Sequence, residues 1–399
     1  MNTKYDAIII GAGASGLMCS VQSGLLGKKT LLIEGNAHVG AKILISGGGR
    51  CNFTNLHTSI KNFESKNPNF LLSIFSRWTV DDTLDFFQRY GGITGEEKTL
   101  GQLFPSSNKA KDVVAMFLKL MRKTDQELWL NTKVKSLDKQ ANEFCLTINR
   151  DGKEIQIRTS KVVVATGGLP IAKLGASDFA LRVAKQFGLQ IIETAPALVP
   201  LTITGKEAEW YASLSGNTIY ARVYNSRISF EENILFTHWG LSGPAILQIS
   251  TYWRPGEEVI INLLPEYDLS DLINQERQTG GKRTVGNLLN DHFTKKMVEA
   301  FSRFLPINLK IASLSKNDAN TIIKTIHKFI VKPAGTKGYD KAEVMRGGVS
   351  TNELIPSTLE SKNNQGLYFV GEAVDITGWL GGYNFQWAWA SGFVVANDI

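Results

Sequence analysis

The hexapeptide GAGASG puts Gly11, Gly13 and Gly16 at G-x-G-x-x-G spacing. It follows a short apolar run, DAIII (6–10), and opens a helical pattern, ASGLMCSVQSGLLG (14–27), that closes on Gly27. A second apolar run, TLLIE (30–34), ends in Glu34, 18 residues beyond Gly16. Strand, glycine turn, helix, strand and terminal acid form the context in which the spacing signifies a dinucleotide site. Gly11 makes the tight turn, Gly13 lets backbone approach a pyrophosphate, and Gly16 permits close helix–strand packing. Ala14 and Ser15 begin the helix whose N-terminus faces the phosphates. Glu34 is placed to accept hydrogen bonds from an adenosine ribose, and an acid there favours a ribose without a 2′-phosphate.

Three further stretches carry reactive or cofactor-facing side chains. ISGGGRCN (45–52) sets three glycines beside Arg50, Cys51 and Asn52. Glycine loses more backbone entropy on folding than any other residue, so the run is expected to lie against a large ligand. Gly48 and Gly49 give that close approach, and Arg50 is expected to pair with pyrophosphate or flavin oxygens; Lys42 is a weaker version of the same idea. The tail LYFVGEAVDITGWLGGYNFQWAWASG (367–392) returns to strand-then-glycine chemistry, as does KVVVATGG (161–168) with Thr166 and Gly167. A nicotinamide dehydrogenase has no use for a chain end that rejoins its first sheet. An FAD protein does, because a late strand and helix must hold the ribityl chain and the isoalloxazine. Gly371 and Glu372 then face the ribityl hydroxyls, and Gly382, Asn384 and Phe385 open a helix whose N-terminus stabilises charge on the reduced ring.

These residues need elements to hold them, and the elements divide the chain. Residues 1–195 and 355–399 read as an FAD-binding α/β domain, with 127–160 as an antiparallel meander and 69–90 as one amphipathic helix. Residues 196–266 and 331–354 read as an inserted β-rich substrate domain, and 267–330 as a helical insert. The 399 residues, 43% hydrophobic and 20% charged, suit a globular protein of several domains. No apolar run approaches the roughly 18 residues of a membrane span, and the start of the chain lacks a secretory pattern, so the expectation is cytoplasmic with no membrane partner. Cys19, Cys51 and Cys145 do not pair at metal-ligand spacing, and no metal is expected. The net charge is +7, and residues 301–350 hold nine Lys/Arg against three acids. Such a segment suits a polyanion as readily as it suits solvent.

GAGASG, KILISGGGRCN, FTHWGLSGPA, GLYFVGEAVD and GGYNFQWAWASG together resemble the HI0933-like (YhiN, BaiN/RdsA) family of NAD(P)/FAD-dependent oxidoreductases over essentially the whole chain. The resemblance implies a Rossmann-type FAD domain carrying a β-rich and a small helical domain, and adds Val134 to the FAD contacts. ILFTHWGLSGPAILQISTYW (234–253) and KPAGTKGYDKAEVMRGGVSTNEL (332–354) look most like its YhiN branch. That branch implies reduction of a uridine in 23S ribosomal RNA to dihydrouridine, with NAD(P)H as reductant. LPIAKLGASDFA (169–180) departs from the family pattern, and no site residue is assigned there.

Saturating the uracil C5=C6 bond requires hydride at C6, stabilisation of O4 and a proton at C5. Cys51 and His238 are the candidate catalytic residues, although Cys51 also reads as a small packing residue and His238 as part of a structural turn. Lys324, Lys328 and Lys332 are the candidate RNA contacts. Two other readings stay open: an FAD-dependent amine oxidase of a small molecule, and a flavin-bearing RNA-binding protein without turnover.

Overall fold

The computed structural model describes residues 5–399. They form two compact units, one running to Ala195 and resuming at Val344–Ile399, the other spanning Pro196–Glu343. Residues 267–330 thus share a unit with the inserted β-rich residues.

The first unit is built on a parallel sheet. Strand β1 (Ala7–Ile10) lies at its centre, between β2 (Thr30–Ile33) and Val162–Val164. Ile9 sits opposite both Leu32 and Val163. Leu367–Phe369 pairs with the outer side of Val162–Val164, and Glu127–Trp129 with the outer side of β2. The strands read as unbroken apolar runs because helices cover both faces of such a sheet; β1, β2, Val162–Val164 and Leu367–Phe369 are buried throughout. Helix α1 (Ala14–Leu25) follows β1, and the tail helix Tyr383–Ala396 packs on it. A Cβ at Gly392 would overlap the Ser15 carbonyl oxygen, so the two helices meet backbone to backbone.

Two local expectations are corrected. Glu127–Trp129 belongs to the parallel sheet, and the antiparallel meander begins at Thr132, because Asn131 turns the chain at φ 48°. Residues 69–90 form two helices, Phe70–Phe75 and Val80–Gly91. The second starts where Thr79 accepts a hydrogen bond from the Asp82 N–H and Asp82 accepts one from Thr79, a capping box.

The second unit holds a seven-stranded antiparallel sheet in the order Phe329–Val331, Val259–Asn262, Thr218–Tyr224, Ser229–Thr237, Gly240–Ser242, Leu201–Thr202, Gly335–Thr336. Helix Pro244–Tyr252 packs on it, and Trp210, Phe236, Phe301 and Phe329 form an aromatic core that includes the helical segment. Among the described residues no helix is long and apolar enough to cross a membrane, and no His/Cys/Asp/Glu cluster has metal-binding geometry.

Candidate functional site

The three glycines of the first turn separate by environment. A Cβ at Gly11 (φ 104°) would fall 2.5 Å from the Ala165 carbonyl oxygen, and one at Gly16 would overlap the Gly11 carbonyl oxygen. Both glycines therefore serve protein packing. Gly13 caps α1, and a Cβ there would meet no heavy atom within 4 Å. No side chain caps the helix and no acid lies in its first turn. The first N–H groups of a helix lack intrahelical acceptors, so those of Ala14 and Ser15 are offered on the side that Gly13 leaves open.

Glu34, the expected ribose contact, directly follows β2. One carboxylate oxygen accepts from the Ala12 N–H at 2.8 Å, the other from the Asn36 N–H at 2.9 Å. Each oxygen keeps a further lone pair for a hydroxyl. Val134 is half-buried in the strand beginning at Thr132, whose N–H donates to the Glu34 carbonyl oxygen at 2.9 Å. The backbone thus ties Glu34 to the strand that carries Val134.

On the other side of the turn, Thr166 Oγ1 is buried and makes no hydrogen bond within the described residues. A buried hydroxyl without a partner is costly, and a ligand hydroxyl or phosphate oxygen would satisfy it. Gly167 (φ 71°) lies beside Glu372, 3.7 Å from Oε2 to an added Cβ. Glu372 accepts from Lys42 Nζ at 2.5 Å and from the Met345 N–H at 2.8 Å. Lys42 and Glu372, 330 residues apart, therefore form one ion pair. Gly371 (φ 62°) donates its N–H to the buried Ser391 Oγ at 3.0 Å, and an added Cβ would lie 2.7 Å from Ser15 Oγ.

The glycine run ends helix α2 (Ala41–Gly49) early: Ser46 is extended, and Gly47, Gly48 and Gly49 are all left-handed. A Cβ at Gly48 would meet nothing within 4 Å. Arg50 is exposed, donates from Nε to the Gly47 carbonyl oxygen at 2.8 Å and lies 4.8 Å over the Phe104 ring. Among the described residues, its other guanidinium N–H groups make no hydrogen bond. Cys51 has φ 65° and no exposed surface; burial pushes its thiol up to about 12, with Ser46 offsetting part of the shift.

Beside this loop the tail helix starts at Gly382 (φ 98°), where a Cβ would overlap the Thr54 carbonyl oxygen. Asn384 donates to the Gly378 carbonyl oxygen at 2.9 Å and accepts from the Gly378 N–H at 2.8 Å, fixing the helix start. Phe385 stacks on Trp389 with centroids 5.5 Å apart, so its ring packs within the protein. Asp375, absent from the expected set, is buried and accepts from the Lys66 N–H at 3.0 Å; burial raises its carboxyl to about 6. It closes the GLYFVGEAVD motif, the one signal that could have marked it.

The remaining candidates lie in the second unit. His238 is exposed in the turn after Ser229–Thr237, edge-on to Trp239 at 4.0 Å. Lys324 and Lys328 are exposed at the end of helix Lys316–His327, and Lys332 pairs with Glu258 at 3.0 Å.

An open helix start, an open glycine run, an orphaned hydroxyl and a carboxylate with lone pairs to spare fit an FAD. The HI0933-like protein Rossmann domain model matches residues 5–398. The chain belongs to the HI0933-like family. Within reach of that family, it is 43% identical over 398 residues to the ribosomal RNA dihydrouridine synthase of Escherichia coli strain K12, covering 99% of this chain and 98% of that one. It is 39% identical over 405 residues to the ribosomal RNA dihydrouridine synthase of Haemophilus influenzae Rd, covering 100% and 99%. Among solved structures, 3-ketosteroid Δ1-dehydrogenase from Sterolibacterium denitrificans aligns over 100% of this chain and 99% of its own at TM-score 0.53 and 13% identity, a likeness of fold.

Proposed function

We propose that this protein is an FAD-dependent reductase that converts a uridine of 23S ribosomal RNA to dihydrouridine, with NAD(P)H as the source of electrons. The observation that carries the reading is full-length similarity to two ribosomal RNA dihydrouridine synthases. FAD, once reduced by NAD(P)H, would supply the hydride. Gly13, Gly48 and the start of α1 provide the close approach for its pyrophosphate, and Glu34 orients its ribose. Glu372, held by Lys42, orients the ribityl hydroxyls, and the tail helix N-terminus supplies positive potential where charge develops on the ring.

Of the two candidate proton donors, His238 is the one assigned here, since its imidazole is exposed. The Cys51 thiol is enclosed in the core. Lys324 and Lys328 contact the RNA backbone. Nucleoside mass spectrometry of 23S ribosomal RNA from cells lacking the protein tests the reading. One dihydrouridine should disappear and return on complementation; unchanged content sinks it.

A further inference from the structure

In the second unit, strand Thr218–Tyr224 turns Ala221 and Val223 inward and leaves Arg222 exposed and Tyr224 half-buried on the opposite face. These two side chains line a concavity with Asn225, Arg227, Asn262 and His327. His327 ends the helix that carries Lys324, and Lys328 follows it. The concavity and the basic segment are therefore continuous, although its arginines lie about a hundred residues away in sequence.

The polar groups here divide into spent acceptors and free donors. Arg222 uses Nε on Glu231 at 2.6 Å. Arg227 uses Nε and Nη2 on the Tyr252 carbonyl oxygen, and Nη2 also meets Glu257. Both carboxylates at the rim are thus already engaged. Among the described residues, Arg222 Nη1 and Nη2 and Arg227 Nη1 make no hydrogen bond within the protein. Asn225 Oδ1 accepts the N–H groups of Arg227 and Ile228, whereas its Nδ2 is buried with no acceptor. Asn262 Oδ1 faces His327 Nδ1 at 2.9 Å while His327 Nε2 accepts the Leu269 N–H, so the ring is a fixed neutral wall. Unsatisfied guanidinium and amide donors around a hollow whose acids are occupied suit a phosphate.

We infer that this concavity seats a phosphodiester of the RNA strand, held by Arg222 and Arg227, while Lys324 and Lys328 engage neighbouring phosphates. The inference rests on the ribosomal RNA reading and adds where the strand is gripped. Tyr224, two residues along the strand from Arg222, offers a ring for the adjoining ribose or base.

The test is binding of 23S ribosomal RNA, taken from cells lacking the protein, to the FAD-loaded full chain across a salt series. Arg222→Gln, and separately Ser226→Glu at the exposed rim, should each lower the slope of log K against log salt by about 0.7 per lost contact on a single strand. Arg222→Lys should restore it. FAD content and melting temperature should match the parent in all three. An unchanged slope in Arg222→Gln and Ser226→Glu overturns the inference. So does a normal slope accompanied by weakened NADPH-driven flavin reduction, which would assign the hollow to the 2′-phosphate of the nicotinamide cofactor. If dihydrouridine is lost on deletion while these slopes stay unchanged, only the site is wrong. Intact dihydrouridine on deletion removes the broader reading.

Discussion

Gly11 and Gly13 stand two residues apart, yet alanine should act on them through different quantities. At Gly11 the side chain would meet the Ala165 carbonyl oxygen at 2.5 Å on a left-handed backbone, so Gly11→Ala should lower the melting temperature even without cofactor. Gly13 has φ −78° and open space, so Gly13→Ala should cost under about 1 kcal/mol of stability while weakening FAD binding tenfold or more. Melting curves beside flavin titrations separate the two. Cys51, with its thiol raised to about 12 by burial, should resist alkylation at pH 8 in the native state, and Cys51→Ser should still form dihydrouridine. Loss of turnover in a folded Cys51→Ser protein would return the thiol to the chemistry. Asp375 gives a signed pH effect. Its carboxyl rises from 3.8 to about 6 on folding, so the folded state holds the proton longer, and stability falls as pH rises from 3.8 through 6. The wild type should lose about 2–3 kcal/mol between pH 4 and 7.5 that Asp375→Asn keeps, as urea titrations at the two pH values would show. The packing roles of Gly11 and Gly16 were legible because the spacing that expresses them is local. The Lys42–Glu372 pair was not, since no sequence spacing expresses a contact across 330 residues.

Elements were legible where pattern and length agreed. DAIII, TLLIE and KVVVATGG are short apolar runs closed by glycine or acid, and each became a buried parallel strand. Where the period continued across a break, the pattern misled. Residues 69–90 keep a helical period, and only the Thr79–Asp82 cap reveals the second start. Glu127–Trp129 and Thr132–Gln140 read as one alternating strand, yet Asn131 sends them to different sheets. Thr79→Ala should therefore cost about 1 kcal/mol, measurable by chemical denaturation. The start of the tail helix is held more tightly, because Gly382 is left-handed and pressed against Thr54. Gly382→Ala should displace the 52–55 backbone, release FAD and leave a colourless protein, whereas Phe385→Leu should keep its colour because that ring packs on Trp389.

For the whole molecule, glycine chemistry at both ends of the chain was enough to bring the tail back to the first sheet. The basic segment was visible by count, but Arg222 and Arg227 were not tied to it until strand Phe329–Val331 paired with Val259–Asn262 beside them. Truncation before residue 366 should remove flavin binding, because it deletes both the edge strand Leu367–Phe369 and the tail helix. The same connectivity sets a timetable during synthesis. Val162–Val164 leaves the ribosome with β1 on one side and its other partner, Leu367–Phe369, unmade. The 202 residues from Ala165 to Gly366 intervene, a wait of about 10–40 s at ordinary elongation rates. For that interval an apolar strand edge is open to the wrong neighbour, which makes the nascent chain a client for chaperone capture. Flavin can be locked in only as the last helix arrives.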